Sequence, residues 1–219
     1  GGDVIIRKGC QGKGLGKIIA GKSIVGQFFE SAVLTAGKDV QATYLLNCQL
    51  KANGKLLVEG RKGVIIGGKT CAKLGVSCNG IGNIAEIATV VSVGIDKEDM
   101  TAYQELQKKI EQTQAELQTC ENGLNKLMAH PVHDEKVSMM IQRLTRAVYT
   151  LKSSRKELFS ERNAQMEQMT KQKEARIQVS GRAYPGTLLF LNEDPFAIKE
   201  IYNNVEFVKH DNRIDTLAH

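Results

Sequence analysis

The 219-residue sequence contains no tryptophan and only 3 prolines, and aromatic residues make up 5% of it. This scarcity excludes a core built on large clusters of rings. No apolar run approaches the roughly 18 residues that a membrane-spanning helix needs, so the sequence predicts no transmembrane segment. Hydrophobic residues still account for 42% of the chain, which is enough for a folded core. The composition is therefore typical of a folded protein and not of a disordered chain.

Residues 1–9 contain neither a methionine nor the apolar segment of a signal peptide. We therefore expect the sequence to be part of a longer protein with a cytoplasmic location. The 5 cysteines agree with this, because an odd number of cysteines without a secretion signal is typical of a reducing compartment.

A sixteen-residue repeat runs through the first part of the chain. Three columns of similar residues recur in one register, and within each unit short period-two alternations such as KDVQATYLL indicate strands. A unit of this length cannot bury its own apolar face, but stacked units can, with each strand paired to its counterpart one coil away. The columns are Ile18, Leu34, Leu50 and Ile66; Ala20, Ala36, Ala52 and Gly68; and Ile24, Val40, Leu56 and Ala72.

This repeat predicts a mainly β fold, a right-handed parallel β-helix or solenoid. The hand follows from the strong bias of parallel crossovers. A left-handed solenoid would show six-residue periods, and none are present.

The pattern changes to helical near residue 97. Apolar residues spaced alternately by three and four predict a coiled-coil seam, with Asp99 or Thr101 as the helix N-cap. Pro131 ends the first helix, and Asp134 can cap a second helix over about residues 135–176. Two helices joined by a short turn predict an antiparallel hairpin roughly 50 Å long. The seam residues are Tyr103, Leu106, Ile110, Thr113, Leu117, Cys120, Leu124 and Leu127, then Val137, Ile141, Leu144, Val148, Leu151 and Leu158, weakening through Phe159, Met166 and Met169.

Strand character returns at Ile177, so the hairpin is interpreted as an insertion between coils. The predicted domains are residues 1–96 for the β-helix coils and 97–176 for the coiled-coil hairpin. Residues 177–219 form the final coil and a C-terminal tail that adds a strand pair, with Asp211 and Asn212 at its turn, and caps the open end.

The segments GDVIIRKGCQGKG, RKGVIIGGKTCAKLGVSCNGIGN, TVVSVGID and IQVSGRAYPGTLLFLN, together with the AGKSI and AGKDV units, resemble the flagellar assembly protein A (FapA) family. The resemblance covers nearly the whole chain, and the order of its elements is its most specific part. It implies a bacterial, cytoplasmic, non-enzymatic protein of flagellar assembly or cell-surface organisation. It supplies no catalytic residues and no cofactor, and the N-terminal portion usual in the family is not in this sequence.

Two segments, residues 16–23 and 63–70, match the phosphate-loop pattern G-x-x-x-x-G-K-[ST]. A nucleotide-binding enzyme is therefore an alternative function. The residues that follow each match have no helical period, although a phosphate loop needs a helix there. Since the two matches lie close to three repeats apart, the repeat itself explains both, and no nucleotide cofactor is expected.

The net charge is +6, and the basic excess lies within residues 1–96. Lys22, Lys38, Lys55 and Lys69 fall at equivalent joints in successive units and form a candidate contact strip for an anion or partner, namely an acidic protein, a lipid surface or nucleic acid. The alternative is that they are solvated lysines that discourage aggregation. Nucleic acid is not expected as a partner, because aromatic residues are not interleaved with the lysines.

The remaining candidate sites favour packing over chemistry. His130 and His133 are interpreted as exposed turn residues and not as a metal site, since two histidines alone do not bind zinc. Cys48 and Cys71 are assigned to packing. Carboxylates that recur at coil spacing would indicate a carbohydrate-cleaving solenoid, and Asp3 and Asp39 are not interpreted as such a pair. No catalytic, cofactor or metal residues are therefore predicted.

The sequence as a whole predicts a non-enzymatic scaffold that acts through protein–protein contacts and has a homo-oligomer among its candidate assemblies. The methionines of the second helix (Met139, Met140, Met166 and Met169) belong either to an intramolecular seam, which is favoured, or to a docking surface for a partner. A polymer-forming cytoskeletal β-helix is a second alternative function.

Overall fold

The computed structural model describes residues 1–129, 134–211 and 213–218. Thirteen strands and two long helices occur in the described residues, and both helices lie between the eighth and ninth strands. The helices are α1 (Lys97–Met128) and α2 (Glu135–Lys173). The strands are β1 (Val4–Ala20), β2 (Ile24–Ala36), β3 (Val40–Ala42), β4 (Tyr44–Ala52), β5 (Leu56–Val58), β6 (Val64–Ala72), β7 (Val76–Ile81), β8 (Thr89–Val93), β9 (Ile177–Ala183), β10 (Thr187–Leu191), β11 (Asp194–Ala197), β12 (Tyr202–His210) and β13 (Arg213–Ala218).

The strands wind into a parallel β-solenoid with three faces. The first face stacks residues 24–26, β3, β5, residues 76–78 and residues 177–179. The second face stacks residues 28–30, 44–46 and 64–66. The third face stacks residues 33–36, 49–52 and 69–72, followed by β8 and β10. The predicted fold class, a solenoid interrupted by a helical hairpin, is confirmed.

The core of the solenoid consists of side chains that alternate inward along each strand and stack on their counterparts in the next coil. Leu34 stacks on Leu50 on the third face, and Ile24 stacks on Val40 on the first face. These four side chains are at most 3% exposed. A continuous apolar column therefore replaces the two-layer core of an ordinary domain.

The fourth member of each predicted column is wrong. Leu50 pairs with Thr70, Ala52 pairs with Ala72, and Leu56 pairs with Val76, twenty positions further on. The extra residues lie in the turn at residues 59–63, which is longer than the single residue Thr43 at the same turn one coil earlier. The repeat period changes where a turn lengthens, because only the strands are bound by hydrogen bonds to a fixed register.

The turn between the second and third faces has a residue with positive φ at the same position in three successive coils. Ser31 and Asn47 both have φ of 49°, and Gly67 has φ of 68°. Left-handed backbone is easiest for glycine and tolerable for asparagine, so this corner explains the residue types at two of the three positions.

The C-terminal end of the solenoid is closed by antiparallel strands. β11 pairs with β10, and β12 pairs with both β9 and β13. The rings of Phe196, Tyr202 and Phe207 lie 5.5 to 6.3 Å apart and pack at this end of the core. The predicted strand pair in the tail is therefore present, while Asn212 of its predicted turn lies outside the described residues.

The chain forms two compact units, Gly1–Asp96 with Met169–His219 as one and Lys97–Gln168 as the other. Within the helical unit α1 and α2 run antiparallel, as the ion pair between Lys152 and Glu121 shows (2.8 Å). All eight predicted α1 seam residues are buried or half-buried, and so are the six from Val137 to Leu158.

The ends of the helices correct two details of the prediction and confirm one. Helix α1 begins at Lys97, so neither Asp99 nor Thr101 is its N-cap. Asp134 does cap α2, because its Oδ1 accepts the Val137 N–H (2.8 Å). None of the helices in the described residues is long and apolar enough to span a membrane.

Cys78 gives the solenoid a pH-dependent stability. Burial raises the pKa of its thiol to about 12, against about 8.5 in an unfolded chain. The folded state therefore keeps a proton that the unfolded state loses, so this stabilisation is complete below about pH 8.5 and declines as pH rises toward 12. Between pH 7.5 and 10 we expect a loss of about 1–2 kcal/mol in the free energy of unfolding, measured by urea denaturation.

The Cys78→Ala variant should lack this part of the pH dependence. Val58→Ala is the matched control, because Val58 stacks directly on Cys78, is fully buried and does not titrate. It should lose stability to a cavity but keep the full pH dependence. An identical decline in Cys78→Ala and Val58→Ala would contradict the assignment.

Candidate interaction surfaces

The corner between the third and first faces carries most of the predicted contact strip. We define the lysine corner as residues 21–23, 37–39, 53–55 and 73–75. Lys22 and Lys38 occupy the same position in successive coils, because the Lys38 N–H donates to the Lys22 carbonyl (3.0 Å). Lys55 lies in the coil after that of Lys38, one position further along the corner. The side chains of Lys22, Lys38 and Lys55 are all exposed. The structure thus brings three of the four predicted lysines together.

Lys69 is not part of this corner, so the predicted equivalence of the four lysines is wrong for it. It lies within β6 on the third face, where it pairs with Gln49 and Val90. The longer turn at residues 59–63 moves it out of register, for the same reason that the apolar columns shift.

Two carboxylates do recur at coil spacing, contrary to the sequence interpretation. Asp3 and Asp39 immediately precede the first face in coils that lie two apart. Asp3 Oδ1 accepts the Ser23 N–H (2.8 Å), and Asp39 Oδ1 accepts the Lys55 N–H (2.7 Å). Each carboxylate therefore binds the backbone of the next coil at this corner.

Lys22, Lys38 and Lys55 form an exposed row of positive charge, which we call the lysine strip. Successive coils are roughly 4.8 Å apart, so the ammonium groups can lie close enough to repel one another. An acidic segment laid along the corner would relieve that repulsion and gain several ionic contacts. The strip can therefore bind a row of carboxylates or other anions, and its role as a contact surface stays a prediction.

Sequence reasoning missed two further cations near this corner. Lys55 lines a cleft of about 540 Å³ together with Lys171, Glu174 and Arg176. Arg176 precedes the first face at the same position as Lys55, but the two are 176 − 55 = 121 positions apart in the chain, with the hairpin between them. Its Nη1 lies 3.0 Å from Glu206 Oε1, so its charge is already partly balanced. The sequence analysis assigned Ile177 to the start of a new coil, so Arg176, the residue before it, could have been placed at this corner from the sequence.

Neither phosphate-loop match has the required geometry. The glycine–lysine segment of residues 16–23 is followed by strand β2, and residues 63–70 lie almost wholly within strand β6. The helix N-terminus whose amides would hold phosphates is therefore missing at both sites.

The hairpin exposes apolar side chains on α2. Met139, Met140 and Met166 are 49, 54 and 58% exposed, and Tyr149 is 78% exposed. The favoured assignment of the methionines to an intramolecular seam is wrong for these three, while Met169 is half-buried. We call Met139 and Met140, which are adjacent on α2, the arm surface.

The cysteines and histidines give mixed outcomes. Cys48 is 1% exposed and its thiol donates to the Phe29 carbonyl (3.2 Å), so its packing role is confirmed. Cys71 points away from the core and is half-buried on the third face. His130 and His133 lie outside the described residues. In the ranges that are described, no three His, Cys, Asp or Glu side chains lie together as metal ligands would.

The chain leaves the solenoid after β8 to form the hairpin and returns before β9, both times at the lysine corner. Asn192 joins the two crossing segments: its Oδ1 accepts the Ile95 N–H (2.9 Å), and its Nδ2 donates to the Lys173 carbonyl (3.2 Å). Lys73, only 8% exposed, lies 3.8 Å from Asp96 on the outgoing segment. Side chains of the solenoid therefore fix the chain on both sides of the insertion.

A family model described as the Flagellar Assembly Protein A beta solenoid domain matches residues 1–214. The chain belongs to this family. The match includes the helical insertion as well as the coils on both sides of it, in agreement with the resemblance carried by the sequence segments. Comparison with curated proteins and with solved structures gives no match.

Replacing Asn192 should destabilise the junction between the solenoid and the hairpin. Asn192→Ala loses both side-chain hydrogen bonds and places alanine, which tolerates left-handed backbone less well than asparagine, at φ of 50°, so we expect a loss of about 2–4 kcal/mol. Asn192→Gly loses the same hydrogen bonds without the backbone strain and should cost about 1–2 kcal/mol less than alanine. Urea unfolding measures both values, and a glycine variant as stable as the original protein would refute the role of the hydrogen bonds.

Proposed function

We propose that this chain is a non-enzymatic scaffold in bacterial flagellar assembly or cell-surface organisation and that it acts in the cytoplasm through contacts with other proteins. The family match over residues 1–214 carries the proposal. The solenoid supports it with an exposed row of lysines, and the helical unit supports it with exposed apolar side chains.

The lysine strip and the arm surface suit two kinds of contact. The strip offers charge without adjacent aromatic rings, which favours an acidic protein segment over nucleic acid. The arm surface offers methionine side chains, which adapt to apolar partner surfaces. We assign the first recognition of partners to the strip and the tighter contact to the arm, because charge mainly accelerates association while apolar burial slows dissociation.

The first test is genetic and uses the gene in the bacterium of origin. A strain without the gene should lose flagella or swimming ability, scored by electron microscopy and spreading in soft agar. The full gene should restore both. A deletion strain with normal flagella and an unaltered cell surface would refute the proposed function.

Charge reversal tests whether the function depends on the lysine strip in particular or on the positive charge of the solenoid surface in general. A gene carrying Lys22→Glu, Lys38→Glu and Lys55→Glu should fail to restore flagella, because like charges across an ionic contact weaken binding by about a hundredfold. The matched control carries Lys17→Glu, Lys69→Glu and Lys199→Glu, three exposed lysines outside the strip. Equal restoration by the two genes would remove the strip from the proposal.

The arm surface is tested in the same strain with Met139→Glu and Met140→Glu. Gln142→Glu and Thr150→Glu form the control, since both residues are exposed on the same helix and add the same charge. We expect only the methionine variant to fail. If both genes restore flagella, the arm surface is not a partner contact.

A polymer-forming β-solenoid is the second candidate. Within the described residues β1 pairs on one side only, with β2, and Ile5, Leu15 and Ile19 on β1 are exposed. Electron microscopy of the purified chain tests this candidate directly, because polymers would appear as filaments that lengthen with concentration.

A further inference from the structure

The outer side of the second face is apolar. Phe29, Leu45 and Ile65 occupy the middle of each strand segment and point into the core, so the residues on either side of them point outward. One outward column consists of Phe28, Tyr44 and Val64, and the other continues from Glu30 to Leu46 and Ile66.

In the coil of Leu45 the other two faces present a more polar exterior, although Val25, Leu57 and Val33 point outward from these faces in other coils. Gln41 is the outward residue of the first face in the coil of Leu45, and Gln49 and Lys51 are those of the third face in the same coil. On the second face that coil presents Tyr44 and Leu46. The contrast arises within one turn of the chain, so overall composition does not explain it.

Further apolar side chains extend this surface. Ile84 and Ile87 are 83 and 37% exposed and lie in the loop that leads from the second to the third face. Phe28 is 38% exposed. Burial, Glu30 and Cys48 together raise the pKa of the Tyr44 phenol, which keeps its hydroxyl neutral. A face on which half-buried Tyr44, Leu46, Val64 and Ile66 adjoin the exposed Phe28 is typical of a protein interface.

The two edges of the second face carry opposite charge. The edge through which the chain enters has Arg7, Lys8, Arg61 and Lys62, with Glu59 as its carboxylate, and Lys62 lies 5.3 Å from the Tyr44 ring centre. The edge through which the chain leaves has Glu30 and Glu86. Lys13 is the one cation of this exit edge, at the level of the first coil.

We propose that two copies of this chain associate through their second faces, about a two-fold axis parallel to the solenoid axis. Such an axis keeps each coil at its own level and exchanges the entry and exit edges. It therefore places Glu30 near Lys8 of the second copy and Glu86 near Lys62 of the second copy. Each of these pairs is offset by one coil, roughly 4.8 Å, which a lysine side chain spans.

The same axis brings the apolar columns together. Tyr44 and Val64 of one copy face Leu46 and Ile66 of the other, so each aromatic or branched side chain meets an aliphatic one. Self-complementarity is the reason for choosing a second copy as the occupant. If the partner were a different protein, the charges on this face would need to complement the charges of that protein. There would then be no reason for the basic edge and the acidic edge of this chain to complement each other.

The proposal is tested by sedimentation velocity and light scattering of the purified chain over a range of concentrations. We expect a dimer that dissociates on dilution. Leu46→Glu combined with Ile66→Glu should raise the dissociation constant about a hundredfold or more, because two uncompensated charges would enter an apolar contact. Gln41→Glu with Gln49→Glu is the matched control, adding the same charge to the other two faces, and should leave the dimer intact.

The orientation of the two copies is tested by charge exchange, which does not alter the apolar side chains. Glu30→Lys alone should weaken the dimer, and adding Arg7→Glu and Lys8→Glu to it should restore affinity. Circular dichroism confirms that each variant folds. A chain that is monomeric at every concentration, or a dimer that is indifferent to both sets of substitutions, would overturn the proposal.

Discussion

Hydrogen bonding between successive coils is the constraint on which the whole molecule depends. Each strand segment takes its partners from neighbouring coils, so its register is fixed by residues that are distant in the chain: Leu34 pairs with Leu50, Leu56 with Val76, and Val76 with Ile177 across the helical insertion. A turn can lengthen only if the chain returns to the same place on the next coil. The turn at residues 59–63 and the entire helical hairpin both satisfy this condition, although one adds a few residues and the other adds most of a domain.

The position of the hairpin follows from the same constraint. It is inserted where the chain passes from the third face to the first, and the solenoid resumes at Ile177 directly on Val76. Asn192 in the following coil contacts both crossing segments, so the coil after the insertion closes the gap that the insertion creates. The corner at which the chain departs for the hairpin also carries the lysine strip.

The repeat predicted the core well where the period was constant. Leu34 and Leu50 stack as expected because sixteen residues separate them and no turn between them is long. The prediction fails at Thr70, and for Lys69 beside it, because a sixteen-residue template cannot register a turn that grows by a few residues. The methionines of α2 fail for another reason: in a two-helix hairpin only one stripe of each helix is covered, and spacing alone does not tell which apolar residues fall outside it.

The outward residues of the second face pose a question that the fold alone does not answer. Tyr44, Val64 and Ile66 have high strand propensity, so part of their presence is explained by the strands they occupy. That explanation does not extend to Leu46, and it does not separate the three faces, because Gln41 and Gln49 occupy outward strand positions in the same coil. The core is already filled by Phe29, Leu45 and Ile65, so an apolar outer side adds nothing to it. The free energy of leaving these side chains in water is recovered only when a second surface covers them.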